Sequence, residues 1–412
     1  MGLTRKIWHA TTWQAYRCEQ RVRYPDECAL DSVVHTLSQR PPLVTPAQVE
    51  KLRTQLILAA SGQAFVLQGG NCAESFNECE GAPIESQLKI LSKMSAILLQ
   101  GLGKPIVQIG RIAGQYAKPR SALLETKNGV SLPSYRGDLI NHPPFTLTAR
   151  TPDPQLLLQG YACAARTHTH IRTHHENRNI NFFTSHEALH LYYEQALTRK
   201  DPYQKWYNLS THFPWVGVRT STLEGAHIEY LRGIENPIGI KVDPAVTPDL
   251  LKALIEVLDP HQIPGKITLI TRLGVEKVKS QLPKFIDLIQ KNRYKVLWSC
   301  DPMHGNTKTT ASGYKTRVFD DILFELKETF RIHQQMQSTL GGVHLELTGD
   351  PVTECVGGAS GLGEGDLPKY YKSLVDPRLN YEQSLEIASL ITALAHKWDH
   401  DTPRNSERNV MA

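Results

Sequence analysis

Trp298-Ser-Cys-Asp-Pro-Met-His-Gly-Asn-Thr307 continues the apolar run Val296-Leu-Trp298 and reads as a buried strand ending in a loop. Asp301, His304 and Asn306 lie in that loop, where Pro302 and Gly305 keep the backbone from becoming helix. A strand that hands a carboxylate, an imidazole and an amide to one loop is how an α/β scaffold builds a catalytic site. The pattern recurs upstream. Ala64–Leu67 runs into Gln68-Gly-Gly-Asn-Cys72-Ala-Glu74, Ile106–Ile109 into Gly110-Arg111, and Asn181–Thr184 into Ser185-His186-Glu187. Trp215–Val218 ends in Arg219, Ile238–Ile240 in Lys241, Ile267–Ile270 in Thr271-Arg272, and Val343–Leu345 in Glu346. Helix-period segments at 83–101, 246–258, 274–291 and 319–337 separate many of these runs. Strands alternating with helices imply a parallel sheet, and eight such units favour a closed (β/α)8 TIM barrel over an open sheet.

The organisation follows. Residues 1–60 form an N-terminal extension and a first helix, with Thr45-Pro46 as its N-cap and first turn. The extension is expected to pack on the body at an oligomer interface. Residues 61–398 form the catalytic barrel. The stretch 112–180, after strand 2, is too long for an ordinary βα loop and is read as an insertion with a helix near 153–173. The polar residues 399–412 are expected to be a disordered tail.

The chain has 412 residues, 40% hydrophobic content and a net charge of +5, with a mean hydropathy of -0.34. No apolar run approaches the roughly 20 residues needed to span a bilayer, so no membrane role is expected. The N-terminus has no apolar leader segment, and Lys6 stands where a myristoylation motif has Ser or Thr. Seven cysteines without a Cys-x-x-Cys motif argue against a disulfide framework and for a reducing cytoplasm. Basic residues are dispersed rather than gathered in a stripe, which argues against nucleic acid.

The strand ends give two sets of residues. Cys72, His304, Glu346 and Asp376 offer a thiolate, an imidazole and two carboxylates, a donor set for a divalent metal. For Cys72 taken alone, a buried structural thiol is the commoner case. Arg111, Arg219, Lys241 and Arg272 end four different strands. Any one of them could be a barrel ion pair, but four outnumber the nearby acidic residues and point to a substrate with phosphate and carboxylate groups. Lys118, Arg120 and Ser121 suit a second phosphate about as well as they suit a solvated basic turn. Gly357-Gly358 and Gly361-Leu-Gly363 match no phosphate-loop pattern and read as a mobile loop. His168, His170, His174 and His175 read as a mostly solvated helix end.

Together these motifs resemble the class II (plant-type) 3-deoxy-D-arabino-heptulosonate 7-phosphate (DAHP) synthases. The resemblance is carried by Gln68–Glu74, Gly110–Ser121, Tyr135–Asp138, Ser185–Leu189, Trp298–Thr307, His344–Gly349 with Thr353–Cys355, and Asp376–Asn380, in the family's order. It implies condensation of phosphoenolpyruvate with erythrose 4-phosphate, the first step of the shikimate pathway. It puts the metal on Cys72, His304, Glu346 and Asp376, with Mn2+ first and Co2+ compatible. Phosphoenolpyruvate goes to Arg111, Arg219, Lys241 and Arg272, and the sugar phosphate to Lys118, Arg120 and Ser121. Either Lys241 or His304 protonates the new alkoxide. A homo-oligomer is also implied; a chorismate mutase is a candidate partner in the reading of the chain as a regulator.

Three positions depart from the family pattern. Asn71 stands for the usual Asp, Val218 for a Glu before Arg219, and Val375 for a Cys that would face Cys72, so no disulfide is expected there. A short chain resembles the subgroup that feeds secondary metabolism, with weak regulation. Two competing readings stand beside this one: a synthase for another aldose phosphate, such as an amino-sugar analogue, and a non-catalytic phosphometabolite-binding regulator.

Overall fold

The fold is described from a computed structural model covering residues 7–176 and 181–401. Eight strands close into a parallel barrel in chain order. They are β1 (Phe65–Gly70), β2 (Ile106–Arg111), β3 (Phe182–Glu187), β4 (Phe213–Val216), β5 (Ile238–Val242), β6 (Ile267–Thr271), β7 (Val296–Cys300) and β8 (Leu340–Glu346). Each expected run is a barrel strand. The strands are almost wholly buried, as expected for parallel strands covered on both faces.

Register decides which side chains share the rim. At the closing seam Gly70 pairs with Glu346, and on its other edge Gly70 pairs with Arg111. One glycine therefore separates the carboxylate of β8 from the guanidinium of β2. Its φ of +149° and the 2.7 Å that a Cβ would leave to Arg111 O make glycine necessary there. Further round, Arg111 pairs with Ser185, Glu187 with Trp215, and Lys241 with Ile270.

The opposite end is plugged. Helix Pro46–Ala60 starts with a Thr45/Gln48 capping box and Pro46 in its first turn. Its Leu52, Leu56 and Ala59 pack with Val66, Val107, Ile109, Phe183, Phe213, Trp215, Ile270 and Leu297 inside the strands. Outer helices Ala82–Leu102, Pro248–Leu258, Gly274–Asn292 and Phe319–Gln335 fall close to the expected segments. In the extension, Trp13 is buried and donates to Gln195 Oε1 at 2.9 Å, while Trp8 donates to Glu229 O at 2.8 Å.

The insertion after β2 contains an antiparallel hairpin, Leu124–Lys127 with Val130–Pro133, and the helix Gln155–Glu176. Helix Tyr381–Asp401 runs past position 399, and the rest of the expected tail, 402–412, lies outside the described residues. Among the described residues no helix is long and apolar enough to cross a membrane.

Candidate active site

The loops after β1, β7 and β8 converge on Glu346, the last residue of β8, whose side chain is fully buried. Ligand atoms of Cys72, Glu346 and Asp376 lie within 4.8 Å of one another. His304 Nε2 is 3.0 Å from Glu346 Oε1. Three of the four residues thus share one point, and His304 joins them through Glu346. Lys118 adds an ammonium that touches Cys72 Sγ and Asp376 Oδ2 and is 4.0 Å from Glu346 Oε1.

A divalent ion suits this set on its chemistry. One soft sulfur, one imidazole and two carboxylates are a mixed donor group for a first-row divalent metal. Burial, with Glu346 adding to it, pushes the Cys72 thiol up, so a thiolate there needs a strong neighbouring cation. At Glu346 burial opposes ionisation but is outweighed by His304, Arg317, Lys118 and Arg111, which hold the carboxyl well below its usual range. Asp376 behaves alike: burial is outweighed by Lys118, helped by Arg317 and Lys315.

Arg317 was not foreseen. Its guanidinium is fully buried, with Nη2 2.7 Å from Glu346 Oε2. It comes from the return strand of a small hairpin, Thr307–Thr309 with Lys315–Arg317, that follows the β7 loop. The same strand supplies Lys315, whose Nζ is 2.9 Å from Asp376 Oδ1. The hairpin pairing brings these cations back to Glu346 and Asp376, and no apolar run marks it in the sequence.

Beside the donor set lies a cavity of about 230 Å³. Arg111, Lys241, Arg219 and Arg272 line it, with Lys118, Lys315, Glu187, Gln115 and Trp215. All four strand-end cations are therefore brought together. Arg111 is buried against Glu346 at 2.9 Å, bonded to His344 Nε2 at 2.6 Å, and set over the Trp215 ring at 5.3 Å. Arg272 donates to His304 O at 3.1 Å, and its Nε is buried without a hydrogen-bond partner among the described residues. Arg219 is exposed and donates to Ser121 Oγ at 2.8 Å. Lys241 is lowered to about 8 by burial, against the pull of Asp301. Glu187 also faces the cavity, its Oε1 buried without a hydrogen-bond partner among the described residues, and burial pushes its carboxyl up against the surrounding cations.

Asp301 joins the two sets. Fully buried, it accepts from Lys241 Nζ at 2.5 Å and lies 2.7 Å from His304 Nδ1, leaving Nε2 toward Glu346. The backbone N–H groups of Met303 and His304 donate to its other oxygen. Burial, outweighed by His304 and Lys241, leaves Asp301 ionised well below the carboxylate range.

The second phosphate set is only partly assembled. Lys118 and Pro119 line the cavity, whereas Arg120 and Ser121 do not. The Arg120 backbone is tied to the Gln20 amide through N and O, at 3.0 and 3.1 Å. The loop itself is held by Glu74, which accepts from the backbone N–H groups of Ala113, Gly114 and Gln115. Gly114 lies so close to β3 that a Cβ would come within 2.2 Å of His186 Nδ1.

Two other expectations are settled by position. The glycine-rich 357–363 loop does not line the cavity; it folds on itself through Gly357 N–H to Leu362 O. His168 is not solvated: it is buried with its ring 6.1 Å from His212, and burial lowers it to about 3. The side chain of His175 lies outside the described residues. At Asn71, the side-chain Oδ1 accepts from Arg378 Nη1 at 2.7 Å, a role that needs an acceptor but no charge.

The sequence profile of the class-II DAHP synthetase family matches residues 8–178 and 173–392. A phospho-2-dehydro-3-deoxyheptonate aldolase of Neurospora crassa is 41% identical over 451 aligned positions, covering 93% of this chain and 93% of that protein. One of Streptomyces coelicolor is 40% identical, covering 93% of this chain and 96% of its own. One of Mycolicibacterium smegmatis is 38% identical, covering 90% and 91%.

Proposed function

The chain belongs to the class-II DAHP synthetase family, and from that premise we propose how it condenses phosphoenolpyruvate with erythrose 4-phosphate. The observation that carries the reading is one cavity lined by the four-cation cluster and by Cys72, His304 and Asp376, with Glu346 buried beside them. These four residues would hold a divalent ion, Mn2+ first and Co2+ next. When bound, that ion supplies Lewis-acid polarisation of the aldehyde oxygen.

Arg111, Lys241, Arg219 and Arg272 hold the phosphate and carboxylate of phosphoenolpyruvate and stabilise charge as it moves between them. Its enol carbon C3 attacks the aldehyde carbon of the sugar phosphate. Lys118, with Arg120 and Ser121 at the loop, holds the sugar phosphate. Asp301 keeps Lys241 and His304 in one hydrogen-bonded line; with His304 Nδ1 bonded to Asp301 and Nε2 turned to the donor set, Lys241 is the group that passes a proton to the new alkoxide. Water adds at C2, and phosphate leaves with C–O cleavage.

A homo-oligomer belongs to the same proposal and rests on the family resemblance, a cytoplasmic setting rests on the cysteine pattern, and a chorismate mutase is the partner to test. A place in secondary metabolism, read from chain length, gains nothing from relatives of which the chain covers more than nine tenths. The test is consumption of phosphoenolpyruvate with erythrose 4-phosphate, before and after EDTA and after Mn2+ is added back. Loss and recovery are expected, with no recovery in Cys72→Ser. Phosphoenolpyruvate that binds but is never consumed would overturn the assignment for this aldose.

A further inference from the structure

Away from the cavity, two thiols are held in contact. Cys79 follows the short helical turn Phe76–Glu78 in the loop after β1, and Cys163 lies midway along helix Gln155–Glu176. Both are buried, and their sulfurs are 2.8 Å apart. Arg166, one turn along the helix from Cys163, places Nη2 3.0 Å from Cys79 Sγ and 3.3 Å from Cys163 Sγ. The Arg166 side chain is half exposed and lines a surface hollow with Glu80, Glu85, Thr169 and His170. The pair therefore combines sulfur contact, a guanidinium to stabilise a thiolate, and a route to solvent.

We propose that Cys79 and Cys163 form a reversible redox site that a peroxide converts to a disulfide. The Cys79 thiolate, stabilised by Arg166, attacks one peroxide oxygen; the O–O bond breaks, the other oxygen leaves as water, and Cys79 becomes a sulfenic acid. The Cys163 sulfur then attacks the sulfenic sulfur and expels a second water. Two thiols lose two electrons and two protons, one peroxide gains them, and one S–S bond forms. An external thiol reverses the step by exchange. Both cysteines are free in the structure, and burial, with the neighbouring Cys79 sulfur, pushes the Cys163 thiol up to about 12, so Cys163 rests as the thiol. The proposed bond is a response to oxidant rather than a structural bridge.

Position gives the bond a consequence. Seven residues upstream of Cys79 lies Cys72, and between them Glu74 clamps the 113–115 backbone while Ser75 and Phe76 N–H bind the Asp138 carboxylate. A Cys79–Cys163 bond ties that loop covalently to the insertion. It reduces the freedom of the unfolded chain and should raise the temperature of unfolding.

The test treats the intact enzyme with hydrogen peroxide, blocks remaining thiols, and maps peptides without reduction. The expected result is a peptide pair joined through Cys79 and Cys163, with titratable thiols falling from seven by two. Dithiothreitol should restore them, and the oxidised form should melt at a higher temperature than the reduced one. Cys163→Ser and Cys79→Ala should each abolish both the cross-link and the shift, and Arg166→Met should slow cross-linking several-fold. Cys79 and Cys163 both remaining alkylatable while exposed Cys28 is oxidised would overturn the proposal. So would over-oxidation of Cys79 with Cys163 untouched.

Discussion

Replacing Asp301 by Asn keeps the shape of a fully buried side chain and removes its charge. In the protein that carboxylate is shared between Lys241 Nζ at 2.5 Å and His304 Nδ1 at 2.7 Å. Two consequences follow. The charge-assisted bond to Lys241 is lost, a change of about 1.5–3 kcal/mol, equivalent to roughly 10- to 150-fold in a rate or affinity. The direction for Lys241 is also fixed. Burial already lowers it to about 8, and Asp301 is the neighbour that opposes the lowering. Without that neighbour Lys241 loses its proton at lower pH, and an uncharged amine no longer attracts phosphoenolpyruvate. In the native enzyme kcat/KM for phosphoenolpyruvate should hold below about pH 8 and fall above it. In Asp301→Asn the fall should begin at lower pH, with kcat/KM at neutral pH down by about 10- to 150-fold. Initial-rate assays across pH at saturating metal measure both. An unmoved basic limb, with kcat/KM within about twofold of native, would refute the Lys241–Asp301–His304 linkage.

Other changes probe the surroundings. Arg317→Met removes one of the two buried guanidinium groups that pair with Glu346; Arg111 remains at 2.9 Å, so the loss should stay below the about 3–5 kcal/mol of a fully unpaired buried charge, and thermal unfolding of the metal-free protein should come earlier. Unchanged unfolding would show that this pair is not holding the rim. Gly114→Ala puts a methyl against the His186 ring at a φ of +156°, a strain of about 1–3 kcal/mol. Its effect should fall on the KM for the sugar phosphate, through the displaced 115–118 loop, with little change in the KM for phosphoenolpyruvate.

The barrel was legible because each strand is a short apolar run ending in a polar residue, and that residue marks the rim. Cys72, His304, Glu346 and the four strand-end cations were found the same way. Arg317 and Lys315 escaped because a three-residue hairpin strand has no periodicity to read, and its pairing with Thr307–Thr309 is what points them back at Glu346 and Asp376. Asp301 was seen as a loop carboxylate, but its link to Lys241 on a strand 60 positions away depends on barrel closure. His168 looked solvated among histidines and threonines. It nevertheless shares the buried face of its helix with Leu157, Ala164 and Ile171 at helical spacing, which meets the barrel. The local run Lys118–Ser121 suggested one phosphate subsite, yet of its three polar residues Lys118 alone lines the cavity, and Gln20 of the extension holds Arg120 by its backbone.

The most direct test of the central claim is anomalous diffraction from crystals of the enzyme grown with Mn2+ and phosphoenolpyruvate. The account predicts one strong manganese peak within bonding distance of Cys72 Sγ, His304 Nε2 and the Glu346 and Asp376 carboxylates, with the phosphate and carboxylate of phosphoenolpyruvate against Arg111, Lys241 and Arg272. A manganese peak elsewhere, with Cys72, Glu346 and Asp376 still paired to Lys118, Arg111, Arg317 and Lys315, would contradict it.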